Sequence, residues 1–181
     1  MHPRHYRTEG IILKRQNIGE ADRLLTVFTR HHGKIRCLAK GVRKPTSRKS
    51  ASIELFHRTV LYLAKGRQLD VLTQTEMVEN FPNIRKRLKA VKAAFHCAEL
   101  VDLLTAENQE NETVFSDLLE VLGTIDREQQ LTRGQVTQFE RKLLSELGFG
   151  LPNSPSRESL KDHIESIIER KLRTAEVFKE V

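Results

Sequence analysis

The chain has 181 residues, 38% of them hydrophobic and 30% charged, a balance that suits a globular protein of one or two small domains with a real core. No apolar run approaches the roughly 18 residues of a membrane span, and the opening "MHPRHYRTEG" has no apolar stretch behind its basic residues, so neither membrane insertion nor a secretory leader is expected. The net charge of +7 is uneven: residues 1–80 hold 16 Lys/Arg against 7 Asp/Glu, net +9, whereas residues 81–181 hold 15 against 17, net −2, which points to a polyanionic partner for the first half.

The first 80 residues read as strands. "GIILKR", "DRLLTVFTR", "KIRCLAK", "ELFHRTVLYLAK" and "QLDVLTQTEMVE" are short runs rich in β-branched, leucyl and aromatic residues. The Gly-containing turns "NIGEAD", "HHGK" and "AKGRQ" separate them. Five strands in so short a span suit a compact barrel such as an OB-fold, and an SH3-like barrel fits the same periodicity. In "KIRCLAK", Ile35, Cys37 and Ala39 alternate with Lys34, Arg36, Leu38 and Lys40, so the period of two puts three cations on one face. That strand runs into "AKGVRKPTSRKSAS", residues 39–52, which carries Lys40, Arg43, Lys44, Arg48 and Lys49 and no acid. Gly, Pro and four hydroxyl side chains make this segment a flexible loop, and its like charges need an anion.

From Pro82 onward the period changes to that of a helix. Ile84, Leu88, Val91, Phe95, Ala98, Val101 and Leu104 form an apolar stripe. A second helix uses Val114, Phe115, Leu118, Leu119 and Leu122; a third runs from about Arg133 to Leu147. "GFGLPNSPS" is a break, and a last helix or helix pair uses Leu160, Ile164, Ile167, Ile168, Leu172, Val177 and Phe178. The fold class is therefore α+β, with a five-stranded OB-fold-like barrel over 1–80 and an all-α helical domain over 81–181. The opening turns of the first helix carry Arg85, Lys86, Arg87, Lys89 and Lys92, where the helix terminus is already positive, a combination that attracts phosphate.

Catalytic signatures are missing. No Gly-rich phosphate loop, HExxH, GxSxG or CxxC occurs, and Cys37 and Cys97 make no metal-ligand spacing with the seven histidines. So few cysteines fit free, buried thiols in a reducing compartment. Glu20 and Asp22 sit in "NIGEADR", where the turn can use one and Arg23 can neutralise the other, and His31 and His32 read as turn residues. The expectation is a binding protein with no cofactor and no enzyme activity.

The ordered motifs "GIILKR…GEADRLLTVFTRHHGK", "AKGVRKPTSR" and "LTQTEMVENF" resemble the N-terminal half of the RecO family of bacterial recombination mediators. "FERKLLSELGFG" and "IERKLRTAEVFKEV" extend the likeness, more weakly, through the helices. The resemblance implies an OB-fold joined to a helical domain, a bacterial cytoplasmic, nucleoid-associated protein, and a role in DNA repair after damage. It also implies binding of single- and double-stranded DNA, annealing of complementary strands, and help in loading recombinase onto strands coated by single-strand-binding protein. The implied partners are RecR and the acidic C-terminal tail of single-strand-binding protein. One departure stands out: many members carry a Cys-rich, zinc-finger-like insertion after the equivalent of "LGFG", whereas here "LPNSPSRES" bridges that point without a cysteine, so zinc is not expected.

The residues expected to hold the nucleic-acid backbone are Arg15, Lys34, Arg36, Lys40, Arg43, Lys44, Arg48 and Lys49, with Arg85, Lys86 and Lys89 as outposts. About five contacts to a single strand correspond to a log–log salt slope near −3.5. Tyr6, Phe28, Phe56 and Tyr62 are the β domain's aromatics, and most are expected in the core, which leaves binding dominated by the backbone. Ile164, Ile168, Leu172 and Phe178, near Lys171 and Arg173, are expected to form a partner-binding pocket with a cationic rim for an acidic, apolar-ended peptide. An RNA-binding OB module and a non-catalytic interaction scaffold are the competing readings.

Overall fold

The structure is a computed structural model and describes residues 4–154 and 156–174. The chain divides into two compact units, one made of Met1–Asn80 and Ala106–Glu112, the other of Phe81–Thr105 and the residues from Thr113 onward. The first unit thus extends beyond the 1–80 span read from the pattern, by a short return of the chain.

Five strands build the first unit: β1 (His5–Ile18), β2 (Asp22–Thr29), β3 (Gly33–Ala39), β4 (Arg58–Ala64) and β5 (Asp70–Glu79). They close into a barrel in the order β1-β2-β3-β5-β4, antiparallel except for the β3–β5 seam, the order of an OB-fold. β1 is longer than the apolar run "GIILKR" because its polar start also pairs: residues 5–11 face β4 and residues 10–18 face β2. Gly10 is where the strand serves both neighbours, and a Cβ there would lie 2.4 Å from Val27 Cγ1. A register shift between Ile12 and Lys14 marks a bulge that lets β1 bend around the barrel.

Inside sit Ile12, Leu25, Val27, Ile35, Cys37, Ala39, Leu61, Leu63 and Leu72, with Val42 and Ile53 inserted from the β3–β4 connection. Each fully buried Leu or Ile of this kind contributes about 1.5–3 kcal/mol. The alternation read from "KIRCLAK" holds on this inner side, where Ile35, Cys37 and Ala39 are all buried.

The second unit holds α1 (Leu88–Leu104), α2 (Glu112–Glu128, whose first residue belongs to the barrel unit), α3 (Arg133–Glu146) and α4 (Arg157–Ile167). Among the described residues no helix is long and apolar enough to cross a membrane. A 3-10 turn over Ile84–Lys86 precedes α1, and the Asp126 carboxylate accepts the Asn83 and Ile84 N–H groups at 2.6 and 3.1 Å. α3 starts with a capping box, Thr132 with Gln135, and α4 with Ser156, which accepts from the Ser159 N–H.

The stripe expected along α1 holds at Ile84, Ala98, Val101 and Leu104 and fails at Leu88 and Phe95. The buried face is Ala90, Ala93, Ala94, Cys97, Ala98, Leu100, Val101 and Leu104, whereas Leu88 and Phe95 are 68% and 41% exposed. Ala90, Ala93 and Ala94, outside that stripe, are buried as well, and such small residues let neighbouring segments approach α1 closely. A buried polar network ties α1 and α3 to the segment after α4: His96 Nε2 meets Glu140 Oε1 and Nδ1 meets Thr174 Oγ1, both at 2.8 Å. The Glu99 carboxylate accepts the Arg173 and Thr174 N–H groups at 3.1 and 3.0 Å.

Candidate nucleic-acid interface

The connection from β3 to β4 is an ordered ledge rather than a flexible loop. Gly41 takes a positive φ of 64°, and its N–H donates to Asp22 Oδ1 at 2.7 Å. The Arg43 N–H donates to the Ala21 carbonyl at 2.9 Å, and the Arg43 guanidinium donates to the Gly19 carbonyl at 3.0 Å. Two turns follow, closed by the Lys44 N–H to Gly41 and the Ser47 N–H to Lys44. Buried Val42 anchors the ledge from below, leaving Arg43, Lys44 and Arg48 exposed on its outer side. Asp22 is therefore a turn-capping residue, as its sequence context suggested, while Arg23 turns to Asn17 and Glu54 instead.

Five of the cations expected at the interface, Arg36, Lys40, Arg43, Lys44 and Arg48, are exposed, and none forms an ion pair with a carboxylate among the described residues. Arg36 projects from β3, opposite Thr26 of β2 in the register, and Lys40 begins the ledge. Three others have different work. Arg15 pairs with Glu54 and so clamps β1 to the β3–β4 connection. Lys49 donates from Nζ to the carbonyls of Lys40 and Leu72 at 3.3 and 3.2 Å, which fixes the base of the ledge. Lys34 was expected on an open strand face but is only 9% exposed, because residues 106–112 return to cover it.

Arg85 and Lys89 are exposed in the helical unit, and Lys86 is exposed with Nζ donating to Asn83 Oδ1 at 2.6 Å. Arg85 and Lys86 precede α1 and Lys89 lies in its first turn, and the start of that helix has no side-chain cap among the described residues.

Four further cations escaped the linear reading. Arg4, Arg7, Lys65 and Arg67 are exposed at the edge where the start of β1 meets the end of β4, with the Lys65 N–H donating to the Arg4 carbonyl at 2.8 Å. Their clustering shows only once the strands pair, because the two pairs, Arg4 with Arg7 and Lys65 with Arg67, lie far apart in sequence. Two tyrosines lie under them: the Arg7 guanidinium is 5.9 Å from the Tyr62 ring centre, and Lys65 Nζ is 4.5 Å from that of Tyr6. Tyr6 donates its hydroxyl to Asp70 Oδ2 at 2.6 Å, and Tyr62 donates to Glu76 Oε1 at 2.6 Å. Burial, then the Asp70 bond, pushes the Tyr6 hydroxyl above its ordinary range. Burial alone would raise the Asp70 carboxyl, but the bonds from Tyr6, Gly66 and Lys65 outweigh it and hold the group low. Phe28 and Phe56 are in the core. Tyr6 and Tyr62 are thus already engaged at ring and hydroxyl.

The expected C-terminal pocket is replaced by packing. α4 ends at Ile167; Ile164 and Leu172 are buried in the helical core, and Ile168 is half-buried. Lys171 donates to Glu165 Oε2 at 2.6 Å, which holds the Glu165 carboxyl below its usual range, and the Arg173 backbone is spent on Glu99. Phe178 lies outside the described residues. A cleft of about 250 Å³ lies elsewhere in the helical unit, between α2 and α3, with Val121, Leu131 and Phe139 beside Asp117 and Glu120. Its carboxylates suit no acidic peptide. Among the described residues no group of three His, Cys, Asp or Glu side chains could hold a metal ion.

A closed five-stranded barrel of OB-fold order, with an ordered cationic ledge and a separate helical unit, defines the class: an OB-fold-like protein with a phosphate-competent surface. Comparison with known proteins supplies the family. Residues 1–81 match the family model described as Recombination protein O N terminal, and residues 85–172 match Recombination protein O C terminal. The chain belongs to the RecO family. It is 41% identical over 147 residues to the DNA repair protein RecO of Pelotomaculum thermopropionicum, covering 80% of this chain and 56% of that protein. It is 42% identical over 149 residues to the DNA repair protein RecO of Roseiflexus sp., covering 82% and 52%, and 36% identical over 147 residues to that of Desulforudis audaxviator, covering 81% and 58%. The chain therefore spans a little over half the length of the relatives it matches.

Proposed function

We propose that the chain acts in DNA repair and recombination by holding the sugar–phosphate backbone of single-stranded DNA on its barrel, presenting the bases for pairing with a complementary strand. The observation that carries this reading is the set Arg36, Lys40, Arg43, Lys44 and Arg48, exposed on β3 and a hydrogen-bonded ledge and, among the described residues, without carboxylate partners. Phosphates displacing condensed counterions supply the free energy, so the affinity is steeply salt-dependent and nearly indifferent to sequence. Bases that no aromatic side chain grips stay free to pair, which suits annealing. The same charges attract duplex DNA.

The family relationship extends the proposal. The chain assists recombinase loading on strands coated by single-strand-binding protein, with RecR and the acidic tail of that protein as partners, in the bacterial cytoplasm. Binding and positioning, with no chemical step, are its whole contribution.

The test is an annealing assay with complementary oligonucleotides, comparing the wild type with R36A/K44A/R48A. Loss of annealing with an unchanged melting temperature supports the reading; equal annealing overturns it. Direct competition between DNA and RNA oligomers of one sequence separates it from an RNA-binding role, which requires RNA to win.

A further inference from the structure

The row of cations along β3 stops at an acidic segment supplied by the chain itself. Residues 106–112, "AENQENE", run from just after α1 to the first residue of α2 yet belong to the barrel unit. They run along the β2–β3 turn: Glu107 bridges Lys34 backbone to backbone, and the Asn108 N–H donates to the Lys34 carbonyl at 2.9 Å. Arg30 Nε donates to Glu112 Oε1 at 2.8 Å, and His31 Nδ1 lies 3.5 Å from Glu110 Oε1. The fit is close, since a Cβ on Gly33 would come within 2.0 Å of the Gln109 carbonyl oxygen.

We propose that this segment is a built-in competitor of nucleic acid, an acidic strap that occupies Arg30 and covers Lys34 until a polynucleotide lifts it. The inference rests on the reading of the barrel as a nucleic-acid-binding unit and adds a regulatory element to that surface. Three features support it. The strap carries three carboxylates and no cation. The Arg30–Glu112 ion pair is exposed, 38% and 54% for the two side chains, and such a pair is weak and easily exchanged for phosphate. Arg36 lies two residues beyond Lys34 on the same outer face of β3, so a strand engaged at Arg36 reaches the strap next.

The test uses the full chain and a fluorescent oligothymidylate. Replacing the two carboxylates, E110Q/E112Q, removes the Glu112 charge from Arg30 and loosens the cover on Lys34. Affinity at about 0.1 M salt is expected to rise several-fold and the log–log salt slope to steepen by about 0.7–1.4, one to two added phosphate contacts. The charge-matched variant E146Q/E158Q, in the helical unit, is expected to leave the slope unchanged. In the wild type, saturating oligothymidylate is expected to accelerate hydrogen exchange at the Asn108 amide. Unchanged affinity and slope in E110Q/E112Q, a slope change equal in both variants, or an Asn108 amide that is unaffected or better protected in the complex would each overturn the strap. Failure of the wild type to bind the oligomer at all instead overturns the underlying reading of the barrel.

Discussion

Arg43 donates a hydrogen bond from its guanidinium to the Gly19 carbonyl at 3.0 Å, so the ledge after β3 is locked to the β1–β2 turn. With Asp22 holding the Gly41 N–H from the same turn, the cations beyond are presented in a fixed arrangement before any ligand arrives. Ordering done in folding need not be repeated in binding, where immobilising a loop and its long side chains costs about 0.5–1.5 kcal/mol per side chain. Asp22→Ala is therefore expected to lower oligothymidylate affinity about 3- to 10-fold while costing only about 1 kcal/mol of stability, the usual worth of one such bond. Fluorescence anisotropy and a urea melt on the same sample decide it; unaltered affinity would show that the ledge's order is irrelevant to binding.

Arg36 and Arg15 make a matched pair for separating binding from stability. Arg36→Ala removes an exposed cation, so the salt slope should fall by about 0.7 and the stability should change by less than about 0.5 kcal/mol. Arg15→Ala removes the Arg15–Glu54 pair, while Arg23 stays 3.5 Å from the same carboxylate. That substitution should cost up to about 1 kcal/mol, discounted for partial exposure, with the slope untouched. A reversal of the two phenotypes in salt titrations would relocate the interface.

Gly10 offers a check on the barrel's closure. Gly10→Ala drives a methyl against Val27 Cγ1, now 2.4 Å from the Cβ position, and overpacking of this kind costs about 1–3 kcal/mol. Val27→Ala opens a cavity of its own, yet the double variant should recover part of the loss. A double-mutant cycle by chemical denaturation measures the coupling, and strictly additive effects would contradict the contact.

Cys37 sets an alkaline limit. Burial, then the nearby Asp70 carboxylate, pushes its thiol up to about 12. An unfolded thiol titrates near 8.5, so the folded barrel holds the proton more tightly than the unfolded chain. The contribution is complete below about pH 8.5 and is lost as pH rises toward the folded value, at about 1.4 kcal/mol per pH unit for one group. Tyr6, also raised, acts with the same sign at higher pH. Urea melts between pH 8 and 10 should show this decline in the wild type and a shallower one in Cys37→Ala; identical slopes would remove Cys37 as the cause.

Much of the barrel was legible because its strands alternate and its turns carry glycine: Ile35, Cys37 and Ala39 face inward as the period of two requires. The ledge's charge was legible too, but not its rigidity, which comes from carbonyls at Gly19 and Ala21 that no side-chain pattern announces. Lys34 was misjudged because what covers it arrives from residues 106–112, far along the chain. Leu88 and Phe95 were misjudged because helical periodicity reports a stripe and says nothing of how many sides of α1 are packed. Arg4, Arg7, Lys65 and Arg67 could be grouped only through the β1–β4 register.

The return of residues 106–112 to the barrel has a consequence for how the molecule is made. During synthesis all five staves emerge before α1, yet the patch that seats on Gly33 and Lys34 leaves the ribosome only after that helix. A nascent barrel therefore spends an interval with this corner bare, and a fragment cut at residue 80 would stay in that unfinished condition permanently.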